Sequence, residues 1–253
     1  MWWQMWVDSH SHHYFTSLNV LDSLYRSGLE AVVEASWIPV RPSSWGTLED
    51  VFRWLVEVEP QRLQKIGLKL IPAVGIHPRC ISPEVRFDKL ESWLNDERVK
   101  ALGEVGLESG SEQEKDVFVS QLKLAKKADK PVIVHTPRAN KLAVAVLELK
   151  LIRDSGFPEE MAVIDHFNFE LLKGLEKGSY MIGLSLQPGK ISVNEALEII
   201  KNIDLERTMI NSDSSTEPSE PQWGLELLKE IGKGDKRLAR IIGVDNATRF
   251  YKA

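Results

Sequence analysis

Imidazoles and carboxylates standing just after short apolar runs are the residues of this chain whose types and spacing could do chemistry. His10 and His12 come after Met5-Trp6-Val7, His77 after Ala73-Val74-Gly75-Ile76, His135 after Val132-Ile133-Val134, and His166 after Ala162-Val163-Ile164-Asp165. Two acids stand in the same relation, Glu104 after Ala101-Leu102-Gly103 and Asp213 after Met209-Ile210-Asn211-Ser212. His10 and His12 are two residues apart, and in an extended chain that spacing turns both rings to one face. A mixed set of imidazole nitrogens and carboxylate oxygens suits a divalent ion such as Zn²⁺, Mn²⁺ or Mg²⁺. Such an ion lowers the pKa of a bound water toward neutrality and polarises a bond for hydrolysis.

Each residue alone has a plainer reading. A His-x-His pair arises by chance, a single His ending a buried strand is more often structural, and Asp213 before Ser214-Ser215 could cap a helix. Their recurrence at the same end of different strands carries the metal-site assignment of His10, His12, Glu104, His135, His166 and Asp213. His13 is expected to be a loop residue pointing away from His12. Asp165, next to His166, is expected to face outward toward the helices. Cys80 follows Pro78-Arg79 with no base nearby in sequence and is read as structural or incidental.

The elements that must position these groups alternate along the chain. Strands are predicted over residues 4–8, 30–35, 69–76, 99–105, 131–135, 161–166, 180–184 and 208–212. Several are apolar nearly throughout, as parallel strands buried on both faces are. Amphipathic helices are predicted over 19–28, 48–66, 87–97, 112–128, 142–155, 192–202 and 224–233. Repeated strand–helix units predict a (β/α)₈ TIM barrel, and 253 residues match the roughly 250 typical of one. An open doubly wound sheet is the alternative. It would usually carry a Gly-rich loop after its first strand, where this chain reads Asp8-Ser9-His10-Ser11-His12. With no linker or low-complexity stretch, residues 1–253 are read as a single domain. In a barrel the C-terminal strand ends converge on one mouth, where active sites lie.

Composition narrows the function classes. At 43% hydrophobic and 27% charged the chain reads as globular. A net charge of -5 argues against an extended basic face for duplex nucleic acid. It leaves room for a phosphate substrate, because bound metal supplies positive charge locally. A single cysteine allows no internal disulfide and suits the reducing cytoplasm. The apolar start, Met1-Trp2-Trp3-Gln4-Met5-Trp6-Val7, is too short for a signal sequence or a membrane span and is read as leading into the first strand.

Asp8-Ser9-His10-Ser11-His12, Val74-Gly75-Ile76-His77-Pro78, Gly103-Glu104-Val105-Gly106-Leu107 and Pro131-Val132-Ile133-Val134-His135 resemble the TatD family of metal-dependent deoxyribonucleases, within the amidohydrolase superfamily. Phe118 to Ala125, Asp165-His166-Phe167 and Asn246 to Phe250 extend the resemblance over almost the whole chain. It implies two divalent ions, one on His10, His12 and Asp213 and a second on His135 and His166, with Glu104 bridging them. It also implies catalytic roles for Glu104 and for Asp213 as general base, and substrate contacts for His77. Arg138, three residues after His135, stands close to where the family commonly has an arginine two residues after, and is read as substrate-binding. The implied function is a phosphodiesterase or deoxyribonuclease, acting on phosphodiesters such as single-stranded DNA ends. The alternatives are an amidohydrolase or lactonase acting on a small molecule, and a non-catalytic binding barrel, whose ligand set would be eroded. At strand eight the family's Glu-Thr-Asp is replaced by Asn211-Ser212-Asp213, so one acid is missing.

Overall fold

The computed structural model describes residues 5–253. Gln4, expected to open the first strand, lies outside the described residues. Eight parallel strands follow one another around a barrel in chain order: β1 (Trp6–Ser11), β2 (Leu29–Ala35), β3 (Lys69–Val74), β4 (Ala101–Gly106), β5 (Val132–His135), β6 (Ala162–Ile164), β7 (Met181–Ser185) and β8 (Thr208–Asn211). Past the last strand, Asp213 N donates to His10 O (3.1 Å) and His12 N to Ser214 O (2.7 Å), joining the end of β8 to β1. The TIM-barrel expectation holds.

Helices fill the connections: α1 (Leu18–Arg26), α2 (Trp45–Arg53) running on through a π turn into α3 (Glu59–Gln64), α4 (Phe87–Leu94), α5 (Glu112–Lys127), α6 (Lys141–Asp154), α7 (Phe169–Gly174), α8 (Val193–Ile199), α9 (Gln222–Gly234), α10 (Lys236–Arg240) and α11 (Asn246–Tyr251). Capping boxes start α5 at Ser111/Glu114 and α8 at Ser192/Glu195, satisfying amide groups that a helix start leaves unpaired. The helix after β6 was absent from the sequence reading. At six residues α7 is too short to show a helical period, although Asn168 caps it by accepting from Glu170 N and Leu171 N. Among the described residues no helix is long and apolar enough to cross a membrane.

Alternation along the strands divides the apolar residues into two layers. Ala31, Ile71, Ala101, Ile133, Val163, Met181 and Met209 fill the barrel interior, where Ala247, Phe250 and Tyr251 of α11 join them. Trp6, Val32, Leu102, Val134, Ile164 and Ile210 form the layer under the helices, with Phe52, Leu90, Phe118 and Leu228. Burial on both faces is why these strands read as unbroken apolar runs.

Candidate metal centre

Five imidazoles reach the barrel mouth by different backbone routes. On β1, Trp6 and Asp8 share the outward parity, so strict alternation would send His10 outward too. The β1–β2 pairing slips between Asp8 and Ser11, and this turns His10 inward with His12 following it. On β4, Leu102 and Val105 both lie in the outer layer, three positions apart where alternation needs an even number. The pairing with β5 slips there and delivers Glu104 inside. His135 ends β5 in regular alternation with the interior Ile133. His166 (φ 54°) and Asp213 (φ 44°) take left-handed backbone as their strands leave the sheet. Such strained conformations in residues other than glycine cluster at functional sites.

Parity corrects the expectation for Asp165. Val163 faces inward, so Asp165 does too, and the left-handed turn brings His166 back beside it. Asp165 contacts His10 Nδ1 and accepts from Asn211 Nδ2 (2.8 Å), Ser185 Oγ (3.2 Å) and His166 N (2.9 Å). Asn211, standing where strand eight lacks an acid, thus donates to the acid that follows β6. His13 is also not a plain loop residue. It is fully buried, its Nε2 2.9 Å from Asp8 Oδ2, while Asp8 in turn accepts from Ser212 N (2.9 Å). His77 lies three residues past the end of β3 rather than on it.

The outer partner of each ring decides which nitrogen is free, because a neutral imidazole carries one donor and one acceptor. His10 Nδ1 is taken by Asp165 and His12 Nδ1 by Ala35 O (2.7 Å), leaving both Nε2 lone pairs facing the mouth. His166 Nδ1 lies between Ser185 Oγ (2.7 Å), which itself donates to Asp165, and Lys190 Nζ (3.0 Å), while its Nε2 faces Glu104 Oε1 at 3.1 Å. His135 is reversed: Nε2 faces Glu108 (3.1 Å) and Nδ1 faces Glu104 Oε1 (2.8 Å). His77 differs from all four. Its Nδ1 accepts from Arg79 N (3.0 Å), so the neutral ring carries its proton on Nε2, 3.6 Å from Glu104 Oε2. His77 is therefore suited to donate a hydrogen bond rather than to ligate.

The free atoms fit a divalent ion. His10 Nε2 is buried with no hydrogen-bond partner. It stands 3.5 Å from Glu104 Oε2 and 3.9 Å from Asp213 Oδ1. His12 Nε2 is 3.5 Å from Asp213 Oδ1 and 3.7 Å from Glu104 Oε2. These gaps are long for hydrogen bonds and close to the roughly 3.3 Å between ligand atoms about 2.0 Å from one tetrahedral ion. Three overlapping donor groups meet here: His10–His12–Asp213, His10–Glu104–His166 and His77–Glu104–His135. The six residues expected to hold metal all come together.

Electrostatics sort the groups further. Burial would lower His10, but Glu104, Asp165 and Asp213 outweigh it and raise the ring to about 9. Burial, with His135 next to it, holds His77 well below its usual value, and burial with Lys190 brings His166 down to about 4. Burial would raise Glu104 and Asp213, yet His10 and His135 hold the first, and Lys190 and His12 the second, well below the usual carboxylate range. A field that attracts protons to His10 attracts a divalent cation equally, and binding one expels the proton. Cys80 takes no part: it is buried, donates to Ile38 O (3.4 Å), and its thiol is pushed up to about 11 by burial.

Above the centre a cavity of about 250 Å³ is lined by Trp37, Arg79, Arg138, Lys141 and Lys190 among others. Arg138, read from the sequence as substrate-binding, is in this lining. Lys190, Glu108 and Trp37 were missed. Lys190 left one trace, being the only charged residue across 178–194; Glu108 and Trp37 left none.

Known proteins resemble this chain over nearly its whole length. A metal-dependent hydrolase of Methanocaldococcus jannaschii, itself uncharacterized, is 31% identical over 97% of this chain and 99% of its own. The crystal structure of the TatD-like protein of Archaeoglobus fulgidus superposes with a TM-score of 0.84 at 36% identity, covering 98% of this chain and 100% of that one. A TatD homologue of Escherichia coli shares the fold at a TM-score of 0.68 and 19% identity, over the full length of both chains. Residues 7–228 match the family described as TatD related DNase, and on these grounds, with the donor set assembled at the barrel mouth, the chain belongs to the TatD family of metal-dependent hydrolases.

Proposed function

We propose that the protein is a phosphodiesterase using two divalent ions, Zn²⁺, Mn²⁺ or Mg²⁺, on substrates such as the ends of single-stranded DNA. The observation that carries this reading is the pairing of the donor set with Arg79, Arg138, Lys141 and Lys190, which together with two divalent ions would outweigh the lining carboxylates Glu104, Glu108, Asp213 and Glu217 and suit an anionic substrate. A neutral lactone or amide needs none of these cationic side chains. An aromatic strip supports a nucleotide: Trp37 packs on His12 (5.3 Å), Phe15 on Trp37 (6.0 Å), and Arg79 lies over the Trp37 ring (5.6 Å). Bases of any sequence stack on such surfaces.

In this proposal His10, His12 and Asp213 would hold one ion and His135 and His166 the other, with Glu104 within reach of both sets. Bound there, such ions would supply Lewis-acid polarisation and a water acidic enough to react near neutral pH. Asp213, kept ionised, takes the proton of the attacking water at its carboxylate and returns it to the leaving oxygen. His77 donates from Nε2 to a substrate oxygen, and Arg138 pairs with the phosphate. The proposal places the chemistry in a reducing cytoplasm, in keeping with the free Cys80.

The test is a substrate panel of bis-p-nitrophenyl phosphate, single-stranded DNA and model lactones, run with chelated protein reloaded with each metal. Metal-dependent cleavage of the two phosphodiesters is expected, and turnover of lactones alone would replace the reading with the lactonase one. Asp213→Asn should lower kcat by roughly 10²–10⁴-fold in a folded protein, the usual worth of a general base.

A further inference from the structure

Lys190 lies between β7 and α8, on the connection that contributes none of the expected ligands. Its ammonium contacts Asp213 Oδ2 and sits 3.0 Å from His166 Nδ1, so it is inside the donor set rather than at its rim. Its side chain is only 11% exposed. An ammonium has three donors and no lone pair, so it cannot serve as a ligand. A carboxylate oxygen that it engages is withheld from an ion, and its charge repels one a few ångströms away. Lys190 takes Oδ2 while Oδ1 faces His10 Nε2 and His12 Nε2, so an ion on Oδ1 meets the ammonium's charge across one carboxylate and the two compete.

The loop around Lys190 combines open space with an anchored backbone. Gly189 has φ +81°, and a Cβ there would meet nothing within 4 Å, so the backbone beside Lys190 borders open space. The base of the loop is fixed, since Gln187 Nε2 donates to Asp213 O (2.8 Å) and Lys190 N to Gln187 O (2.9 Å). A released Lys190 stays over the same cavity that Arg79 and Arg138 line.

We propose that Lys190 is a tethered counter-cation that neutralises Asp213 until a divalent ion displaces it, whereupon its ammonium binds an anionic oxygen of the substrate. The second half rests on the phosphodiester reading of the site, while the first does not. Loading the metal and arming the mouth for an anion are then one event. The protein should bind an oxyanion well only when metal is present.

The experiment uses the full chain stripped with a chelator and compares wild type, Lys190→Met and Lys190→Arg. Calorimetric titration with Mn²⁺ should show Lys190→Met binding at least tenfold tighter than wild type, with Lys190→Arg within about threefold of wild type. Metal-loaded Lys190→Met should bind inorganic phosphate at least tenfold more weakly. Lys190→Gln repeats both arms if the methionine variant does not fold. Unchanged or weaker metal binding without the lysine charge would overturn the competition, as would Lys190→Arg behaving like Lys190→Met. Tighter metal binding with unchanged phosphate affinity would overturn the substrate half. A wild type that competes in the metal arm yet cleaves no phosphodiester would instead sink the reading of function.

Discussion

Asp165 decides whether His10 can offer its Nε2 lone pair, because it holds the ring by Nδ1 from within the barrel. Partners of this kind usually change metal affinity by 10–100-fold. Asp165→Asn should therefore weaken Mn²⁺ binding by roughly that factor while circular dichroism stays native, and unaltered affinity would refute the role. The same cluster sets the pH response of the chelated protein. His10 is raised to about 9 from 6.5, so between those values the folded chain holds a proton that the unfolded chain has lost. Stability then falls as pH rises, by roughly 1–2 kcal/mol between pH 6.5 and 8 from this ring alone. Above about 8, Lys141, lowered to that value by burial, opposes the trend. Below 6.5, His166, lowered to about 4, reverses it. Chelated protein should show its highest Tm near pH 6.5, and a Tm rising steadily to pH 8 would contradict the assignment.

Strands here work as rails whose faults matter as much as their regularity. Slips in β1 and β4 bring His10 and Glu104 inside, and left-handed residues after β6 and β8 place His166 and Asp213. Neighbouring strands leave room for what results. Gly183 on β7 faces Asp165 so closely that an added Cβ would lie 2.2 Å from Asp165 Oδ1. Gly183→Ala should cost about 1–3 kcal/mol by overpacking. It should also weaken metal binding, since Asp165 must move away from His10. A variant that loses stability but keeps wild-type metal affinity would show that β7 does not control the ring.

The barrel needs a floor as well as a mouth. Tyr251 of α11 is 1% exposed, clusters with the interior residues of the strands and donates to Ser9 O (2.8 Å). Truncating a buried aromatic of this size typically costs 3–5 kcal/mol. Tyr251→Ala should lose about that much in urea unfolding while kcat per folded molecule stays within threefold of wild type. A large fall in kcat of the folded fraction would mean that the floor and the mouth are coupled. Confinement of the chemistry to one end of the barrel lets stability be tuned at the other.

The barrel and the residues at its mouth were legible in the chain because both follow from local pattern. Buried parallel strands read as apolar runs, and a ligand at a strand end must be spelled at the end of such a run. Pairing slips and left-handed residues are set by neighbouring strands, so the inward turn of Asp165 was misjudged from simple alternation. The same limit hid the burial of His13, whose partner Asp8 is joined across the barrel seam to Ser212. Short α7 showed too few residues for a period to emerge. Lys190 was recognisable only as a lone charge in a polar loop, and its approach to Asp213 depends on two connections separated by a whole strand. Residue type and spacing determined which groups could bind metal. Only the closed barrel decided which nitrogen each ring presents, which acid holds His10, and which cation stands against Asp213, because those outcomes depend on contacts between distant strands.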